Sequence, residues 1–155
     1  MTRETIALPA PNLRPYAAAD LETLYQIDQE CYPRGIAYSR RTLKWFLALE
    51  GAECLVAESG GAIAGFILTE AEGESAHIIT IDVIAEQRRA GVGTMLLLEA
   101  ERRLAARGVR EVQLETAHEN HAAIAFWEKH GYGKRGVLKK YYLDRVDAHW
   151  MTKTL

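Results

Sequence analysis

Residues 85–108 read AEQRRAGVGTMLLLEAERRLAARG, and the fold is decided by this stretch. It begins with two adjacent arginines and two glycines in three positions, then continues as an amphipathic run without Gly or Pro until Gly108. A helix N-terminus carries unpaired N–H groups and about half a positive charge, and glycine lets the backbone approach an anion closely. The pattern predicts an anion site at the start of a long helix. The alternative is a plain strand-to-helix turn with solvated arginines.

The segment before it, SAHIITIDVIA at residues 75–85, is nearly all apolar and rich in β-branched residues. A strand buried on both faces has this composition, so we place it at the centre of the sheet. Asp82 interrupts the run, and two interpretations stay open: a strand-end residue that reaches water, or a side chain with a function. A helix is predicted from about Gly91 to Arg107. The glycine-containing loop at its start matches neither the P-loop nor the GxGxxG pattern.

The other segments predict a mixed, mostly antiparallel sheet flanked by helices. Helical spacing after Asp20, which we take as the N-cap, and after the N-cap Ser39 predicts two early helices. A Gly60-Gly61 turn joins two strands, with a possible bulge at Gly65. The remaining predicted elements are a strand at 13–16, a strand at 110–116, a helix at 120–131 and two antiparallel strands joined around 144–147. The fold class is α/β, in the order β-α-α-β-β-β-α-β-α-β-β.

Bulk composition excludes several classes of protein. The chain has 155 residues, 48% hydrophobic and 26% charged, which predicts a single domain over 1–155 with a loose leader at 1–11. A net charge of −2 gives no reason to expect nucleic-acid binding, and no apolar stretch approaches the roughly 20 residues of a membrane span. Cys31 and Cys54 form no metal or disulfide motif, so we expect free thiols in the cytoplasm and no metal.

The pattern R/Q-x-x-G-x-G/A, here Arg88 to Gly93 between a strand and a long helix, resembles the acyl-CoA loop of the GNAT superfamily of N-acetyltransferases. The resemblance covers nearly the whole chain. IDQECYPRGIAYSRRTL is similar to the first two helices of the family, and ENHAAIAFWEKHGY to its segment N-x-x-A-x-x-[LF]-Y-x-x-x-G-[FY]. KKYYLDRVDAHWMTKTL resembles the tail of the RimI-like branch, which acetylates protein N-termini. The resemblance implies the GNAT fold and acetyl-CoA as cosubstrate.

The resemblance also implies which residues bind acetyl-CoA. Backbone groups of Ile81, Asp82 and Val83 would bond the pantetheine and polarise the acetyl carbonyl at a splay in the central strand. The amides from Arg89 to Thr94 would hold the pyrophosphate, and Asn120 would bond the pantetheine arm or simply cap its helix. The implied binding residues are Ile81, Asp82, Val83, Arg88, Arg89, Ala90, Gly91, Val92, Gly93, Thr94, Asn120 and Trp127.

Glu115 matches the general base of the RimI-like branch. It lies on the polar face of its strand, and simple solvation of that face is the alternative. An α-amine of pKa near 8 is partly neutral at pH 7.4, whereas a lysine of pKa about 10.4 is almost wholly charged. An N-terminal acceptor therefore needs less help from a base, and Glu115 could act through a water.

Trp127 departs from the family, which places a tyrosine there to protonate the leaving thiolate. An indole N–H donates a hydrogen bond but does not release its proton near neutral pH. Three interpretations stay open: Trp127 only packs against the pantetheine; another tyrosine is the acid, with Tyr142 the first choice beside Tyr132 and Tyr141; or no acid is needed. A thiol of pKa about 8.5 is a tolerable leaving group.

The function predicted is transfer of an acetyl group from acetyl-CoA to a primary amine, namely the N-terminal α-amine of a protein or peptide. Two alternatives stay open: acetylation of a small-molecule amine, and a non-catalytic acyl-CoA-binding module. The second is favoured by Trp127, which cannot supply the proton that the family's tyrosine supplies. We expect a monomer or homodimer without nucleic-acid or membrane partners. His118 and His121 lie about one helical turn apart, but no third ligand is evident, so exposed loop residues are the preferred interpretation.

Overall fold

The computed structural model describes residues 10–155, so most of the predicted leader lies outside the described residues. In this part of the chain the elements follow the predicted order, which confirms the α/β class. The strands are β1 (Asn12–Pro15), β2 (Ala52–Ser59), β3 (Ala62–Glu72), β4 (Ser75–Val83), β5 (Glu111–Ala117), β6 (Gly133–Tyr142) and β7 (Val146–Thr154). The helices are α1 (Leu21–Cys31), α2 (Arg40–Leu47), α3 (Val92–Ala106) and α4 (His121–Lys129). None of the helices between residues 10 and 155 has the length and apolar character to cross a membrane.

The strands form one sheet in the order β1-β2-β3-β4-β5-β7-β6. Strand β4 is central, as its apolar sequence predicts, and it pairs antiparallel with β3 and parallel with β5. The other neighbouring strands pair antiparallel. A long crossover through α3 makes the parallel pair possible, because parallel neighbours cannot be joined by a tight turn.

Each face of the sheet carries its own core. Successive side chains of a strand point to opposite faces, so neighbours such as Leu55 and Val56 enter different clusters. On one face α3 buries Leu96, Leu97 and Leu104; on the other, α1 and α2 bury Leu24 and Leu43. Burial of each such leucine stabilises the fold by roughly 1.5–3 kcal/mol. The two helical layers therefore fix the position of β4, whose C-terminal end lies between them.

The predicted N-cap Ser39 is confirmed, since its Oγ accepts the Thr42 N–H at 3.1 Å. Asp20 occupies the predicted N-cap position of α1, but its side chain forms no capping hydrogen bond there. Its carboxylate instead accepts two N–H groups of the Arg14 guanidinium at 2.8 and 2.9 Å, and the N–H of Ala17 at 2.8 Å. The Arg14 hydrogen bonds lower the pKa of Asp20. A charged partner on β1 thus outcompetes the local cap.

Gly65 holds β3 close to the C-terminal end of β4. The predicted bulge is present beside it, because Ala57 pairs with Gly65 and Glu58 with Ile63, which leaves Ala64 without an opposite residue. A Cβ built on Gly65 would lie 2.5 Å from the carbonyl oxygen of Asp82. Backbone at that distance cannot give way cheaply.

Gly65→Ala should therefore lower the free energy of unfolding by about 1–3 kcal/mol, the usual cost of overpacking. Urea denaturation measures the change. The matched control is Gly133→Ala, also on a strand, where a Cβ meets nothing within 4 Å. Equal stability of the two variants would contradict the proposed steric role of Gly65.

Candidate active site

A cavity of about 1190 Å³ opens where β4 and β5 separate. Within the described chain Ser75–His77 of β4 pair with Glu111–Gln113 of β5, and beyond these residues the two strands diverge. β5 stays paired with β7 along its whole length. The cavity wall is formed by the C-terminal ends of both strands, the start of α3, one face of α4, the segment 32–38 and the β6–β7 turn. The predicted splay in the central strand is therefore present.

Backbone groups of Ile81 and Val83 face this opening. The Ile84 N–H donates to the Ala64 carbonyl at 2.9 Å, and hydrogen-bonded pairs alternate along an antiparallel ladder. The backbone of Asp82 therefore points toward β3, and those of its two neighbours point away from β3. The Tyr32 hydroxyl donates to the Ile81 carbonyl at 3.1 Å from the open side. Of the three predicted strand positions, Ile81 and Val83 line the cavity, and Asp82 does not.

The start of α3 has the form of an anion site. Gly91 is the N-cap, with φ of 84° and no side-chain cap among the described residues, so the N–H groups of the first turn lack intrahelical partners. A Cβ on Gly91 would meet nothing within 4 Å, and the space in front of the helix is open. Arg89, two residues before Gly91, also has a positive φ, 66°. The arrangement suits a phosphate group.

Most of the predicted binding residues contribute to the wall of this cavity. Val92 is 1% exposed in the core, so only its backbone can contact a ligand. Ala90, like Asp82, does not line the cavity. Arg88 lines the cavity but turns back, because its Nε donates to the Val83 carbonyl at 3.1 Å. The predicted residues in the lining are Ile81, Val83, Arg88, Arg89, Gly91, Gly93, Thr94, Glu115, Asn120, Trp127 and Tyr142.

Helix α4 presents Asn120 and Trp127 to the cavity. The Asn120 Oδ1 caps the helix by accepting the Ala123 N–H at 3.1 Å. Its Nδ2 is not used by this cap, and the residue lines the cavity. Both interpretations of Asn120 are therefore compatible. Trp127 is 5% exposed and packs edge-on against Phe126 and Tyr132, with ring centroids 5.0 and 5.3 Å away. A residue so fixed forms a rigid wall.

Glu115 is not simply solvated, because it is paired with His77 across the point where the strands part. The distance between His77 Nε2 and Glu115 Oε2 is 2.5 Å, and their side chains are 34% and 19% exposed. Sequence analysis missed His77. The contact with the imidazole fixes the orientation of the carboxylate at the cavity wall.

The three candidate tyrosines fall in different places. Tyr142 lines the cavity, and burial raises the pKa of its hydroxyl, so it keeps its proton at neutral pH. Tyr132 is buried, and its hydroxyl donates to Glu101 at 3.0 Å, outside the cavity lining. Tyr141 is 48% exposed and is also outside the lining. Tyr142 is therefore the one of the three that can donate to a ligand there.

The two histidines around Asn120 do not form a pair. The partner of His118 is His149, with 3.0 Å between Nδ1 and Nε2. Residues 10–155 contain no cluster of three or more His, Cys, Asp or Glu arranged to hold a metal ion.

Residues 21–132 match the family model described as "Acetyltransferase (GNAT) family", and the chain belongs to this family. It is similar to an N-alpha-acetyltransferase of Sulfurisphaera tokodaii, 31% identical with 67% of this chain and 70% of the relative covered. It is also 30% identical to the [ribosomal protein bS18]-alanine N-acetyltransferase of Escherichia coli, over 79% of this chain and 81% of that one. A crystal structure of the ribosomal-protein-S18-alanine N-acetyltransferase from that organism superimposes with a TM-score of 0.84, covering 93% of each chain at 27% identity.

These similarities confirm the GNAT fold and the resemblance to the RimI-like branch. The chain is an enzyme, an N-acetyltransferase, which sets aside the non-catalytic binding module. Acetyl-CoA is the acyl donor of the family.

Proposed function

We propose that the chain transfers the acetyl group of acetyl-CoA to the N-terminal α-amine of a protein or peptide. The observation that carries the proposal is the position of Glu115, held by His77 where β4 and β5 part, in the wall of one continuous cavity. That cavity runs from the uncapped end of α3 to the segment 32–38. A donor and an acceptor entering from opposite ends meet at Glu115.

The α3 end is the donor side. The first-turn amides of α3 and the charge of Arg89 suit the pyrophosphate of acetyl-CoA, and the open space before Gly91 leaves room for it. Asn120 Nδ2 and the backbone of Ile81 and Val83 are then aligned with the pantetheine arm, so that a backbone N–H at the splay polarises the acetyl carbonyl. The contacts of this part are mostly backbone contacts.

The other end is the acceptor side, between the segment 32–38 and the β6–β7 turn. This part of the wall combines apolar and aromatic side chains with two arginines, which suits the first residues of an extended peptide. The side chains are those of Tyr32, Ile36, Tyr38, Leu143, Arg34 and Arg145. The relatives named N-alpha-acetyltransferase and ribosomal-protein-alanine N-acetyltransferase support an α-amine over a small-molecule amine.

In the proposed reaction Glu115 accepts the proton of the α-ammonium, directly or through a water, and His77 keeps the carboxylate oriented. An α-amine of pKa about 8 needs only modest help from such a base. Tyr142 donates a hydrogen bond to the departing sulfur, whose thiol pKa of about 8.5 makes full protonation unnecessary. Trp127 packs beside the pantetheine and carries no proton.

The proposal is tested by thiol release from acetyl-CoA in the presence of short peptides that differ in their first residue. Each peptide is paired with the same peptide bearing a blocked N-terminus, and simple di- and polyamines complete the panel. We expect release with one or a few free N-termini and none with their blocked counterparts. Release with the small amines alone would contradict a peptide acceptor.

A further inference from the structure

Two acidic side chains are buried together beneath the acceptor side of the cavity. Asp28 of α1 is 0% exposed and Asp82 of β4 is 1% exposed, so the open interpretation that Asp82 reaches water is wrong. The two carboxyls are neighbours, since each influences the pKa of the other. Among residues 10–155, Asp28 Oδ1 and Asp82 Oδ2 are the buried side-chain oxygens without a partner.

Their remaining oxygens are satisfied. Asp28 Oδ2 accepts the backbone N–H of Tyr38 at 2.6 Å, and Asp82 Oδ1 accepts the Thr80 hydroxyl at 2.6 Å. Neither carboxyl forms an ion pair with a cation of the described chain, since Arg88 bonds the Val83 carbonyl and the Cys31 sulfur instead. Two adjacent buried carboxylates cannot both stay ionised without a cation, and one proton between the orphan oxygens satisfies both.

One hydrogen bond to Asp28 helps to fix the segment 32–39 over the splayed end of β4. Besides the Tyr38 N–H held by Asp28, the Tyr32 and Tyr38 hydroxyls donate to the Ile81 and Ile79 carbonyls at 3.1 and 3.5 Å. The far side of the segment packs against the β6–β7 turn, because a Cβ on Gly35 would collide with Leu143 Cδ2. The position of this segment therefore determines the width of the acceptor opening.

We propose that Asp82 donates a shared proton to Asp28, and that the two act as positioning residues that hold the segment 32–39 and so shape the acceptor site. Neither contacts the reacting atoms. The part concerning the acceptor depends on the proposed function, whereas the shared proton does not.

The pH dependence of stability tests the shared proton. Burial raises the pKa of both carboxyls, so the folded protein keeps a proton that the unfolded chain releases above about pH 4. Stability from this proton is complete below that pH and is lost as pH rises toward the folded-state pKa. From about pH 5 up to the folded-state pKa, loss of this stabilisation should raise the unfolding equilibrium constant about tenfold per pH unit.

The other titratable groups whose pKa responds to the charge of the pair are Cys31, the last residue of α1, and Tyr32, Tyr38 and Cys54. Burial raises the pKa of each, that of Cys54 to about 12, so all four stay protonated at and below neutral pH. In Asp82→Asn the amide N–H takes the place of the shared proton. The slope of the logarithm of the unfolding equilibrium constant against pH should therefore be smaller by one than in the wild-type enzyme. Asp28→Asn should behave alike. Unchanged slopes in both variants would overturn the shared proton.

The positioning role is tested by Asp28→Ala against Asp28→Asn, whose amide can still accept the Tyr38 N–H and donate to Asp82. For Asp28→Ala we expect about tenfold faster hydrogen exchange at the Tyr38 amide and about a tenfold higher KM for the acceptor peptide. The affinity for CoA should change less than about twofold, and Asp28→Asn should restore both values. Equal losses in the two variants, or a parallel loss of CoA affinity, would overturn the role. Exchange at Tyr38 needs no substrate, so it separates this failure from that of the proposed acceptor.

Discussion

Gly91→Glu is expected to weaken binding of acetyl-CoA at least about a hundredfold. The new side chain would enter the open space before α3, and its carboxylate would occupy the position proposed for the pyrophosphate. Loss of two hydrogen bonds to a charged group, each worth about 1.5–3 kcal/mol, already exceeds the 2.7 kcal/mol that a hundredfold change requires. Isothermal titration calorimetry with CoA and acetyl-CoA measures the effect.

Gly108→Glu is the matched control. Gly108 follows the other end of α3, has a φ of 91° against 84° for Gly91, and also has nothing within 4 Å of a built Cβ. Both variants therefore carry the same new charge and a similar left-handed backbone strain, but only one faces the cavity. If Gly91→Glu bound CoA as tightly as Gly108→Glu, the start of α3 would not be the phosphate site.

Glu115→Gln is expected to lower kcat by about 10²–10⁴, the usual contribution of a positioned base, with little change in the affinity for acetyl-CoA. The amide keeps the size of the side chain but cannot accept the proton of the α-ammonium. Single-turnover kinetics with saturating acetyl-CoA and the acceptor peptide, followed across pH, isolate this step.

Glu111→Gln provides the comparison, because Glu111 lies on the same face of β5 but at its exposed start. The control should react like the wild-type enzyme. A Glu115→Gln variant with wild-type rates at every pH would remove Glu115 from the proposed chemistry and leave His77 as the remaining candidate of the pair.

Local patterns predict the elements that place the site, because periodicity and glycine positions depend on neighbouring residues. The buried strand β4, the loop before α3 and the alternation of β5 are of this kind. Asp20 shows the limit of such patterns. Its local sequence fits an N-cap, but Arg14, on a strand whose partner is β2, binds the carboxylate instead.

Side chains distant in sequence could not be paired in this way. His77 meets Glu115 because of the parallel register between β4 and β5, which no local signal specifies. Asp28 and Asp82 each stand out as an acidic residue on an apolar face, yet their contact depends on how α1 packs against β4. Which tyrosine reaches the cavity also depends on tertiary contacts, since the Tyr132 hydroxyl binds Glu101 of α3 outside the cavity.

The most direct test of the central claim is to locate the transferred acetyl group. A peptide with one free α-amine and one internal lysine, chosen from those that support thiol release, is incubated with the enzyme and acetyl-CoA and sequenced by tandem mass spectrometry. We predict a single acetyl group on the N-terminal nitrogen and an unmodified lysine. Acetylation of the lysine Nζ with a free N-terminus would contradict an enzyme that acts on α-amines.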